Sequence, residues 1–110
     1  MTASAVRLTG RARAAFRDIG QWTDQRFGHQ QAARYLEEIA EQIQSLADGR
    51  IVGRDCRILV AADLPENLRF TRAGRHFIIY VQTDGEIVVL DFLHQAMDLP
   101  GKIAALSARG

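Results

Sequence analysis

Residues 75–94, RHFIIYVQTDGEIVVLDFLH, decide the fold. Two runs rich in Val, Ile, Phe and Tyr, Arg75 to Gln82 and Glu86 to Leu93, flank Thr83-Asp84-Gly85. Asp-Gly between two β-rich runs is a hairpin signature, because a tight primed turn requires positive φ and these residues tolerate it. A third run, Leu68 to Thr71, precedes them across a turn at Ala73-Gly74. The stretch therefore predicts a three-stranded antiparallel meander.

Towards the N-terminus the period changes. Ala32, Leu36, Ile39, Ile43 and Leu46 step by four, three, four and three, the spacing of an amphipathic helix, until Asp48 and Gly49 stop it. Ahead of it, Ala12, Ala15, Phe16, Ile19, Trp22 and Phe27 mark another helix over Arg11 to Phe27, closed by Gly28. So short a connection predicts an antiparallel helical hairpin. Ser4 to Thr9, with Val6 and Leu8 two apart, fits a first strand with one buried face. Residues 49–67 carry Gly49, Gly53, Pro65 and Asn67 without a sustained period, so they read as a connection with a short strand at Cys56 to Val60. At the other end, Asp98 is placed to cap a short helix that has Pro100 in its first turn and runs to about Ser107. The order implies an α+β fold: an antiparallel sheet of the first strand plus the meander, packed on an N-terminal helical hairpin, with a short C-terminal helix. Two helices cover one face, so the other is expected to be polar or to be covered by something outside this chain.

Size and composition bound the function. With 110 residues, 47% hydrophobic and 25% charged, the chain reads as one domain over residues 1–110. A core of that size leaves little room for a large cofactor, and none is expected. Cys56 is the single cysteine, which excludes an intrachain disulfide and suits a reducing compartment. No apolar run approaches the ~20 residues of a membrane span, and the Arg-rich start has no signal-like apolar segment. A cytoplasmic protein without membrane contact is the expectation.

The chemistry-bearing residues are few. There is no Gly-rich phosphate loop, metal-type Cys/His spacing or nucleophile elbow. The histidines, His29, His76 and His94, fall on a loop, a strand start and a strand end, so no metal site is expected. His94 has a place suited to general acid–base work, but a hydrogen-bonded role orienting the turn towards Asp98 is the favoured reading. Tyr80 reads as core with its hydroxyl satisfied.

Net charge is only +1, yet the charges are unevenly placed. Arg7, Arg11, Arg13 and Arg17 precede any acid, Arg50, Arg54 and Arg57 lie in the connection, and Glu37, Glu38 and Glu41 cluster on the second helix. Arg69, Arg72 and Arg75 surround the first turn of the meander, where their guanidinium forks suit an acidic partner or a phosphate. Trp22 sits on a core stripe, and part of its indole is expected to line a partner's groove. With His76 beside Arg75, the candidate contact residues are Trp22, Arg69, Arg72, Arg75, His76 and His94.

In order along the chain, several blocks resemble the ParE branch of the ParE/RelE toxins of bacterial type II toxin–antitoxin modules. They are Ile19-Gly20-Gln21-Trp22, Phe27-Gly28, Ala32-Ala33-Arg34-Tyr35-Leu36, Ile43 with Leu46-Ala47, Leu68-Arg69, Gly74 through Tyr80, and Phe92-Leu93-His94-Gln95 with Met97-Asp98. One departure follows His94: many relatives resemble Leu-His-x-Arg, whereas Gln95, Ala96 and Met97 are uncharged.

The resemblance implies a toxin that inhibits DNA gyrase by binding it and is neutralised by a ParD-like antitoxin in a hetero-oligomer. Its alternative is a RelE-like ribosome-dependent mRNA endoribonuclease, for which Arg69, Arg75 and His94 would be the catalytic group. Ribonuclease members use clustered Lys, Arg, His or Tyr groups, and general acid–base help alone is worth roughly 10²- to 10⁴-fold. With one Lys in the chain and no Tyr after His94, catalysis is disfavoured. An exposed sheet face or edge suits a partner that folds on binding and supplies a strand and an apolar helix face. Direct DNA binding is not expected, because the chain has no helix-turn-helix with a basic recognition helix.

Overall fold

Thr9 begins the helical hairpin. Its backbone is extended, and its hydroxyl accepts the Ala12 N–H at 3.1 Å, capping the helix that follows the strand residues Ala5–Leu8. In the computed structural model, which describes residues 4–59 and 64–108, the order is β1 (Ala5–Leu8), α1 (Gly10–Phe27), α2 (His29–Ala47), β2 (Arg54–Asp55), a 3₁₀ turn (Cys56–Ile58), β3 (Leu68–Ala73), β4 (His76–Thr83), β5 (Glu86–His94) and α3 (Leu99–Ala108). The strands form one sheet in the order β1-β5-β4-β3-β2. Helical hairpin, meander and terminal helix stand where the periodicity places them, and Asp98 accepts the Gly101 N–H at 3.3 Å as the cap of α3.

Four details differ from the expectation. The first strand pairs with β5 in parallel, Ala5 opposite Glu86 through Leu8 opposite Val89, so the sheet is mixed rather than antiparallel throughout. Of its two expected inward residues only Leu8 packs on the core, and Val6 is exposed, because an edge strand is covered by the helices at one end only. The short strand of the connection is Arg54–Asp55 rather than Cys56 to Val60: the Asp55 carboxylate accepts the Arg57 N–H and turns the chain into the 3₁₀ segment, and Val60 lies outside the described residues. The β4–β5 turn has positive φ at Gly85 alone, so it lacks the second positive φ of a type I′ turn.

A further difference concerns the sheet's second face. On the first face Ile78, Tyr80, Ile87, Val89 and Phe92 pack against Ala12, Ile19, Ile39, Ile43 and Leu46 of the helical hairpin. The opposite face is apolar too: Leu68, Phe70, Ile79 and Leu93 pack with Cys56, Leu64 and Ile103. The chain's own α3 and connecting segment therefore cover part of the face expected to be polar or foreign-covered. Around that patch Phe77, Val81 and Leu90 remain only partly buried.

A bulge sets which side chains reach the functional end of the first face. Ile79 faces Asp91 while Tyr80 faces Val89, which leaves Leu90 as an extra residue in β5. Side chains alternate with period two, so one inserted residue moves everything after it to the other face. Phe92 consequently joins the helix-side core with Ile87 and Val89, and His94 comes opposite His76. The Thr9 hydroxyl donates to the Leu90 carbonyl at 3.1 Å, tying the bulge to the start of α1.

Candidate functional site

The corner between α1 and α2 is a single residue, Gly28, at φ 91°. Its N–H closes α1 on the Asp24 carbonyl, and its own carbonyl receives the Ala32 N–H of α2. The last turn of α1 and the first turns of α2 are thus held side by side, facing the β3–β4 turn. Trp22, Phe27, Gln31, Tyr35, Gly74, Arg75, His76 and His94 line the groove between them, a space of about 380 Å³.

Tyr35 organises its floor. The Tyr35 hydroxyl lies 2.6 Å from His76 Nδ1 and accepts the Arg75 N–H at 3.0 Å. Its other acceptor, the Ala73 carbonyl, is 3.3 Å away, so the phenolic proton is assigned to the shorter bond with His76. Burial raises the pKa of Tyr35, which keeps it protonated. Gly74 makes the arrangement possible: at φ 58°, a Cβ there would stand 2.5 Å from the Tyr35 ring. Any side chain would push the phenol off the histidine.

The two histidines meet edge to face, with ring centroids 5.1 Å apart. Burial first, and then the neighbouring His94, lower the pKa of His76 to about 4, so it is neutral at physiological pH. His94 Nδ1 accepts the Ala96 N–H at 3.0 Å, and the His94 carbonyl accepts the Met97 N–H at 2.9 Å. This is the turn-orienting role expected of His94. With both Nδ1 atoms engaged as acceptors, each ring carries a proton on Nε2.

Trp22 and Phe27 form the outer wall. Thr23, rather than Trp22, faces the core, and its hydroxyl donates to the Ile19 carbonyl at 2.7 Å. Trp22 is 50% and Phe27 62% exposed; the indole stacks under the Arg26 guanidinium at 5.0 Å and edge-on to Phe27. Trp22 therefore does not take the expected core position: its indole is half exposed on this chain's own groove.

Four of the six candidate contact residues, Trp22, Arg75, His76 and His94, thus share one groove. The other two lie elsewhere. Arg69 sits near the start of β3, with its guanidinium on the Gly53 carbonyl at 3.0 Å. Four residues of extended chain, roughly 13 Å, lead from Arg69 to Ala73 before the turn that holds Arg75. Arg69, Arg75 and His94, the group of the ribonuclease alternative, therefore do not converge. Arg72 clamps the turn, donating to the Gly74 carbonyl at 2.8 Å and to Gln95 Oε1 at 2.6 Å. The uncharged residue after His94 is the acceptor that this arginine uses.

Sequence reasoning missed Tyr35 and Asp91. Tyr35 falls between Ala32 and Ile39 on the helical stripe, and a tyrosine there, opposite a glycine-containing turn, is the signal that was available. Asp91 is buried in β5; burial raises its pKa, Arg11 approaches its carboxylate at 3.7 Å, and its Oδ1 accepts the Phe92 N–H. Among the described residues, no group of three or more His, Cys, Asp or Glu is disposed to hold a metal ion. Nor is any described helix long and apolar enough to cross a membrane.

Residues 6–99 match the family described as the ParE toxin of the type II toxin–antitoxin system parDE. Toxin ParE of Escherichia coli is 31% identical over 102 residues, covering 92% of this chain and 94% of that protein. Toxin ParE1 of Mycobacterium tuberculosis is 33% identical over 93 residues, covering 84% and 90%. Among solved structures, a chain of the chromosomal ParDE toxin–antitoxin system from P. aeruginosa superposes with a TM-score of 0.66 at 18% identity, over 84% of this chain and 96% of that one, which shows a shared fold.

Proposed function

The chain belongs to the ParE family of type II toxin–antitoxin toxins, and from that premise we propose that it inhibits DNA gyrase by binding it in the cytoplasm. A cognate ParD-like antitoxin neutralises it in a hetero-oligomer. The observation that carries a binding rather than a catalytic action is the groove at the helical corner. Its half-exposed aromatic wall stands beside Arg75, for which no ion-pair partner occurs among the described residues. Aromatic and arginine side chains of that kind supply most of the energy in protein interfaces. Trp22, Arg75, His76 and His94 are the contact residues of this reading; Arg69 and Arg72 support the fold around them.

One observation favours the endoribonuclease alternative: Tyr35, Arg75, His76 and His94 share a groove. The electrostatics weigh against it. A general base at neutral pH works best with a pKa near 7, whereas His76 is held at about 4 and its Nδ1 is occupied. A single guanidinium also gives little stabilisation to a pentavalent phosphate.

The test is a gyrase supercoiling assay with the purified chain, run beside ribosome-dependent mRNA cleavage. The expected result is dose-dependent loss of supercoiling, reversed by the product of the adjacent reading frame and weakened by Trp22→Ala. Unimpaired supercoiling together with mRNA cleavage that disappears in His94→Ala would overturn the proposal.

A further inference from the structure

We infer that the groove at the helical corner is a binding site for a nucleoside phosphate, its base against Trp22 and its phosphate on Arg75. The inference goes beyond gyrase inhibition and does not rest on it.

The polar groups facing this space include several donors. Arg75 brings a guanidinium without an ion pair among the described residues, Gln31 a side-chain amide, and the two histidines a proton on Nε2, because Tyr35 and Ala96 occupy each Nδ1. No lining residue is acidic. A concavity furnished with donors and a cation, and with no carboxylate, selects an anion rich in acceptor oxygens. Guanidinium forks bind phosphate bidentately.

The walls add a second requirement. Trp22 is half exposed, with Arg26 over one ring face at 5.0 Å and Phe27 at its edge, so the indole is held in place while still offering surface. A fixed, accessible indole stacks with a planar π-system, and base–aromatic stacking tolerates any base. A nucleotide, a planar base carried on a sugar phosphate, meets both requirements. The volume of about 380 Å³ falls at the small end of ligand sites, which accommodates one nucleotide and excludes a duplex. That agrees with the absence of a basic recognition helix.

Trp22 is the only tryptophan of the chain, so its fluorescence reports this site alone. The wild-type chain is titrated with AMP and GMP, then with adenosine, inorganic phosphate and a short single-stranded oligonucleotide. Saturable quenching by both nucleotides is expected, with binding about tenfold or more weaker for adenosine and for Arg75→Ala. Arg75→Lys should recover part of the loss. The Arg75 side chain makes no hydrogen bond or ion pair within the described structure, so its truncation leaves the fold intact, which an unchanged circular dichroism melt verifies. Binding of the oligonucleotide no tighter than that of AMP assigns the site to free nucleotide, and tighter binding assigns it to a strand end; either supports the inference. Three outcomes overturn it: no saturable quenching by nucleotides, equal affinity in Arg75→Ala, or quenching by an acidic aromatic dipeptide such as Asp-Phe with none by AMP or GMP. None of these readouts moves with gyrase inhibition, so the two readings fail separately.

Discussion

Gly53 donates its backbone N–H to the Tyr80 hydroxyl across 2.9 Å, and the approach is so close that a Cβ on Gly53 would stand 2.0 Å from the phenolic oxygen. The bond joins the middle strand to the connection between α2 and the meander, and it satisfies a fully buried hydroxyl. Two substitutions separate its parts. Tyr80→Phe leaves the Gly53 N–H without its partner and is expected to lower unfolding free energy by about 1–3 kcal/mol. Gly53→Ala keeps the hydroxyl and introduces overlap, with an expected loss of at least about 1–3 kcal/mol. Urea denaturation measures both; a Gly53→Ala protein as stable as wild type would refute the close approach.

His76 makes stability depend on pH in a defined window. Its folded pKa, about 4, lies below the ordinary 6.5, so between these values the unfolded chain takes up a proton that the folded chain refuses. Stability from this residue is therefore fully present above about pH 6.5 and falls as pH drops towards 4. In His76→Gln the decline of the urea midpoint over that window should be shallower than in wild type. A ring resonance titrating at or above 6.5 in NMR would contradict the neutral, Tyr35-bonded imidazole.

Thr9 serves two ends at once, as cap of α1 and as anchor of the bulged strand. Thr9→Ala is expected to cost about 1–2 kcal/mol, of which the cap alone accounts for a large share. Thr9→Ser keeps the hydroxyl and should recover most of it. Because the Leu90 carbonyl loses its partner, amide exchange in β5 is expected to accelerate in the alanine variant and not in the serine variant.

Trp22 stands half outside the core, so its truncation should separate function from folding. Trp22→Ala is expected to lower stability by far less than the ~3–5 kcal/mol typical of a buried tryptophan. Growth inhibition on expression should fall nonetheless. An unfolded variant, or one with undiminished toxicity, would remove Trp22 from the contact surface.

What the amino-acid pattern discloses, and what it withholds, follows from the range of each interaction. Helices α1 and α2, the meander, the buried Tyr80 and the Asp98 cap rest on periods and turns within a few residues, and they are legible. The parallel pairing of β1 is not, because Ala5 and Glu86 are far apart in the chain and strand direction leaves no mark on a four-residue pattern. The bulge at Leu90 escapes notice for another reason: Ile87 to Leu90 and Phe92-Leu93 are apolar on both faces, so a shift in alternation exposes nothing. The coverage of the second face by α3 was hidden by the helix's shortness. At the site, His76, His94 and Arg75 were singled out separately, but only the register that sets His76 opposite His94, and the phenol that Gly74 admits, make them one groove.

The pairing of the first strand with the last also has a temporal meaning. During translation the N-terminal strand leaves the ribosome with nothing to pair with, since its partner β5 is made only after the helical hairpin and the other strands. The same is true of the groove, whose wall includes His94 at the end of β5. A partly synthesised polypeptide therefore has the helical hairpin but neither the closed sheet edge nor the finished groove. Sheet edge and groove are therefore completed by one event, the arrival of β5.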